Sequence, residues 1–92
     1  MSKFWVNDSF AIESRRLFVL AGAITEGPLQ TGMTVSVPLN SSISVSAPIH
    51  SIEYLRRDGG REDVCLCIAC EDPDELELWQ GLNIKNETVE IE

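Results

Sequence analysis

Cys65-Leu-Cys67-Ile-Ala-Cys70 gathers three thiols within six residues, the only stretch of this 92-residue chain with metal-ligand chemistry. Tetrahedral zinc needs four convergent ligands, usually supplied by C-x2-4-C pairs on turns or knuckles. On a strand, Cys65 and Cys67 share one face at about 7 Å while Cys70 has the opposite parity. His50, the only histidine, is the one residue placed to add a fourth ligand from a neighbouring strand. Buried small hydrophobes are the plainer reading of these cysteines, and no metal or other cofactor is expected. Their spacing is poor for a disulfide. An odd number of cysteines, three, fits a reducing, cytoplasmic compartment.

His50 is also the only base available to a histidine-dependent hydrolase. Ser44, Ser46 and Ser51 lie near it in sequence but read as strand-surface hydroxyls, and no nucleophile-elbow motif occurs. The chain has no Gly-x-x-x-x-Gly-Lys-[Ser/Thr] loop to cradle phosphates. Neither an enzyme nor a GTP-binding protein is expected.

The formal net charge is −8. Residues 1–60 hold five acidic and five basic side chains, whereas residues 61–92 hold ten acidic ones against Arg61 and Lys85. Nucleic-acid binding draws much of its affinity from Lys and Arg neutralising phosphates, so RNA is disfavoured as a partner. The basic pairs Arg15-Arg16 and Arg56-Arg57 both fall at turns. They read as solvated hairpin ends, or else as a small basic rim able to touch an anion or RNA. The acidic excess suits a partner of opposite charge.

These side chains must be positioned by strands. Turn signals recur along the chain, and the predicted strands are Phe4–Val6 running into Phe10–Ile12, Leu17–Thr25, Thr34–Pro38, Ile43–Tyr54, Val64–Cys70, Leu82–Ile84 and Thr88–Ile91. Pro48 marks a bulge or an edge in the fourth. Asp58-Gly59-Gly60 supplies positive φ twice and is the strongest turn. Gly22 lies inside a strand pattern, where glycine marks a bulge, a bend or a close backbone approach. Asp72-Pro73-Asp74-Glu75 predicts one or two turns of helix, with Asp72 as cap and Glu75 completing a capping box. The outcome is one all-β domain over residues 1–92. No segment is apolar for long enough to span a membrane, and the amino terminus lacks the apolar run of a signal peptide.

Leu17-Phe-Val-Leu-Ala-Gly-Ala-Ile24 is the unusual strand. With alternating faces, Phe18, Leu20 and Ile24 can fill the interior while Leu17, Val19, Ala21 and Ala23 face outward. Antiparallel strands normally show water a polar face. The outer row must be covered by the N-terminal segment with Phe4 and Trp5, by the helix with Leu76 and Trp79, or by another chain. In the last case Leu17, Val19, Ala21, Ala23 and Trp79 form a partner surface, for another protein or for a weak homodimer.

An ordered set of motifs carries a family resemblance. Phe10-Ala-Ile12 resembles a Phe-x-Ile opening strand, and Arg16 followed by Phe18-Val-Leu-Ala-Gly22 resembles an Arg-Gly-x-Val-x-x-Gly strand, with Leu17 in place of its glycine. Gly27-Pro-Leu-Gln-Thr-Gly32-Met-Thr-Val35 resembles Gly-x-Leu/Ile-x-x-Gly-[Asp/Glu]-x-Val. Glu62-Asp-Val64-Cys-Leu-Cys-Ile68 and Glu77 to Leu82 resemble the closing segments. Together they are similar to domain 2 of the elongation factor Tu family of translational GTPases, over roughly Val6 to Ile84. The resemblance implies a closed six-stranded Greek-key antiparallel barrel, non-catalytic, acting as a binding or assembly module. Its alternative is an accessory RNA- or tRNA-contacting module that uses the arginine rim.

Overall fold

A computed structural model describes residues 2–38, 41–56, 58–60 and 62–92. The strands are β1 (Ser2–Ile12), β2 (Leu17–Glu26), β3 (Thr34–Pro38), β4 (Ser44–Pro48), β5 (Ser51–Arg56), β6 (Glu62–Ala69) and β7 (Glu87–Ile91). They form one antiparallel sheet of seven strands in the order β4-β3-β7-β1-β2-β6-β5. A short 3-10 turn, Glu13–Arg15, joins β1 to β2, and one helix, α1 (Pro73–Gly81), precedes β7. Among the described residues no helix is long and apolar enough to cross a membrane.

The all-β expectation holds, but the expected closed six-stranded barrel does not appear in that form. Among the described residues seven strands are present, and the strand order is open, with β4 and β5 at its two ends. The predicted strand Ile43–Tyr54 is divided into β4 and β5, and Pro48, opposite Thr34, is the last residue of β4. Ile49 and His50 make the step between the halves. The Ile49 amide donates to the Met33 carbonyl (2.8 Å), whereas the His50 amide donates to the Cys67 carbonyl (2.8 Å). Two consecutive residues thus bond toward opposite ends of the sheet order, to Met33 just before β3 and to Cys67 in β6.

A bulge in β1 decides which side chains face the interior. Val6 pairs with Gly22, but Asp8 pairs with Ala21, so Asn7 is the extra residue. One extra residue reverses the alternation of faces along a strand. Phe4 and Val6 therefore point into the core, and after the bulge Ala11 packs there while Phe10 and Ile12 are turned to the other face. The core is completed by Phe18, Leu20, Val35, Leu66, Ile68, Val89 and Ile91.

α1 begins where expected and runs further. Asp72 Oδ1 accepts a hydrogen bond from the Glu75 amide (2.8 Å), and Glu75 Oε2 reaches back to the Glu71 amide (3.1 Å). Its nine residues make about 2.5 turns, because Leu76 and Trp79 both gain by burial in the core. Trp79 packs on Phe18 with ring centroids 5.7 Å apart. The longer helix displaces the predicted strand Leu82–Ile84. Leu82 instead caps α1, Asn83 takes a positive φ of 50°, and Ile84 is buried outside any strand. Gly59 and Gly60 take the two positive φ angles expected of that turn, 84° and 81°.

Candidate protein-docking face

The outer face of the sheet has two unlike halves. Across β4, β3, β7 and β1, facing residues read Ser46, Ser36, Glu90 and Lys3. Lys3 Nζ continues the row to Glu26 at 3.9 Å. That half follows the usual rule for a sheet facing water.

Across β1, β2, β6 and β5 the same face is apolar at its centre. One cross-strand row reads Phe10, Val19, Cys67 and Ser51, and the next reads Asp8, Ala21, Cys65 and Glu53. Val19, Ala21, Cys65 and Cys67 form a buried cluster of their own, with Ile12 against it. Phe10, Leu17, Tyr54 and Leu55 join these residues around a groove of about 190 Å³, with Arg15 and Glu53 also at its lining. Phe10 is 41% exposed, Leu55 41% and Tyr54 66%, whereas Val19 beneath them is 3% exposed.

The expected partner row is therefore only partly an exposed surface. Leu17, Val19 and Ala21 are buried as a floor, and Ala23, opposite Trp5, is exposed. Trp79 does not belong to this face. It lies in the main core with Phe4 and Leu76, so none of the three covers the row. Trp5 is half-buried, and its Nε1 donates to Asn7 Oδ1 (2.8 Å). Phe10, Tyr54, Leu55 and Glu53 were not among the partner-surface residues expected from sequence. Gly22 signals a bulge, but only Asn7-Asp8 within β1 hints at which strand carries the extra residue and turns Phe10 outward.

Arg15, Arg16 and Arg56 are not brought together. Arg15 and Arg16 lie where Leu17 pairs with Ala69, at one end of β6, while Arg56 pairs with Glu62 at the other. Seven residue steps of strand separate those ends by roughly 23 Å. Arg16 has left-handed backbone (φ 51°), and its Nη1 donates to the Glu71 carbonyl (3.1 Å). Its carbonyl accepts from the Cys70 amide (2.8 Å), so the residue clips the β1–β2 turn to the end of β6. Arg57 lies outside the described residues.

The remaining chemical residues are also spread apart. Cys65 and Cys67 floor the outer groove, whereas Cys70 joins the main core behind the sheet. None of the three forms a disulfide. Burial first, then the nearby carboxylates of Glu75 and Asp72, raises the Cys70 thiol above its ordinary value. His50 is exposed, as are Ser44 and Ser46 on β4. No group of three His, Cys, Asp or Glu residues among those described is arranged to hold a metal. No protein-family model, curated protein or solved structure matches the chain.

Proposed function

We propose that this chain is a non-catalytic binding or assembly module that docks another protein on the outer face of β1, β2, β6 and β5. The observation carrying this reading is the contrast within one face: serines and charges on one half, and Phe10, Leu55 and Tyr54 around an apolar floor on the other. Exposed apolar patches rimmed by polar groups mark interaction sites. Aromatic anchors over a desolvated floor are also the usual centre of binding energy at protein interfaces.

The reading retains an elongation factor Tu domain 2-like barrel as its architecture. The Ile49–His50 step supports it, since its amides bond toward both ends of the strand order and such a link would curl the sheet on itself. Three cysteines outside any disulfide accord with work in a reducing, cytoplasmic setting. The reading does not take the RNA-contacting alternative, because Arg15 and Arg16 lie at the opposite end of β6 from Arg56.

A tagged wild-type chain and its Phe10→Glu/Leu55→Glu variant, both checked for native circular dichroism, provide the test. A stoichiometric protein partner retained by wild type and lost by the variant is expected. Equal retention by both would remove this face as the docking surface.

A further inference from the structure

We infer that the groove on this face receives a basic, apolar segment of a partner protein, an inference that rests on the docking reading above. The row Asp8–Ala21–Cys65–Glu53 has a carboxylate at each end and an apolar floor between them. Arg15 is the basic side chain that lines the groove, and it follows Ile12 at the other end. Side chains entering over Val19 and Cys67 thus meet apolar surface, with negative charge to one side.

The long-range field has the same sign. The chain carries −8, which raises the encounter rate of a cationic partner and slows that of an anionic one. A second copy is the disfavoured occupant, since it would bring the same net charge and the same carboxylates over the groove. Size disfavours a small molecule as well. The volume of about 190 Å³ falls below the roughly 300–1,000 Å³ of typical small-molecule pockets. A few side chains of a polypeptide, apolar at the floor and Lys or Arg beside Asp8 and Glu53, match both shape and charge.

The test is selection of a phage-displayed random peptide library on the immobilised full chain, followed by binding measurements on the enriched peptides. Enriched peptides should combine apolar residues with Lys or Arg. Their affinity should fall about tenfold or more in Glu53→Lys and in Asp8→Lys/Glu53→Lys, as like charges are brought together. It should also weaken as salt is raised. Phe10→Glu should abolish binding. Neutral or acidic peptides that lose binding in Phe10→Glu but not in Glu53→Lys would overturn the basic occupant and leave the docking face standing. Peptides indifferent to all of these variants, or no enrichment, would overturn the inference as well. Dimers of the wild-type chain that dissociate in Phe10→Glu would place a second copy in the groove instead.

Discussion

Trp5 and Gly22 meet backbone to backbone on facing strands. A Cβ added to Gly22 would lie 2.8 Å from the Trp5 carbonyl carbon and 3.1 Å from the Val6 Cα. Gly22 is also where the β1–β2 register shifts, between Val6 and Asp8. The missing side chain lets β1 approach closely just before its bulge. Beyond the bulge, Phe10 and Ile12 stand outward. The docking face thus depends on a glycine that is not part of it.

Gly22→Ala should therefore destabilise by about 3 kcal/mol or more, because backbone rather than a flexible side chain occupies the space. Gly32→Ala is the control. Its added Cβ meets nothing within 4 Å but sits at φ 89°, for a cost of about 1–2 kcal/mol. Urea unfolding of both variants checks the order. Equal losses would mean that the close approach to Trp5 is not what fixes glycine at position 22.

The groove's floor and wall should respond differently to charge. Val19, at 3% exposure, has no water for a carboxylate, so Val19→Glu should unfold the chain or force the side chain to stay protonated. Phe10→Glu places its charge at a site 41% exposed and should cost only about 1 kcal/mol. Circular dichroism and urea midpoints distinguish the two. A folded, stable Val19→Glu would show that the floor is open to solvent.

Local signals in the sequence were legible where local chemistry decides the outcome. Thr34–Pro38 is a strand with the predicted bounds, Asp72 caps α1, and the two glycines after Asp58 take positive φ. The choice among longer-range arrangements was not legible. Nothing local says that Trp79 would leave the outer row for Phe18, or that Arg15 and Arg56 would sit at opposite ends of β6. The first depends on which side of the sheet α1 packs against, the second on how β2 and β5 pair with β6. The sequence row Leu17, Val19, Ala21, Ala23 was found on one face, but its cover comes from β1 and β5. Neither could be paired with it before the bulge and the step at Ile49–His50 were placed.

Asp72→Ala should cost about 1 kcal/mol by removing the acceptor for the Glu75 amide. The loss should be felt away from the cap. α1 carries Trp79, which stacks on Phe18 in the core, so loosening the first turn should shift tryptophan fluorescence early in a urea titration. Asp72→Ser, another good cap, should restore most of the stability. An alanine variant as stable as wild type would make Pro73 and core burial sufficient to hold the helix.

Cys70 should make the fold sensitive to alkali. Its thiol is raised above the ordinary value by burial, and secondarily by Glu75 and Asp72. A group whose folded pKa exceeds its unfolded one adds stability that is complete below the unfolded pKa and is lost as pH rises toward and through the folded value. The loss should start near pH 8.5, roughly where an unfolded cysteine ionises. Melting temperature measured from pH 7 to 10 should therefore fall more steeply in wild type than in Cys70→Ala, which has no thiol there to titrate. Lysines, Tyr54 and the other two cysteines are common to both proteins, so the difference between the curves isolates Cys70. Glu75→Gln should reduce that difference only slightly, because burial is the larger cause. Parallel curves for wild type and Cys70→Ala would mean that the thiol ionises as readily in the fold as outside it.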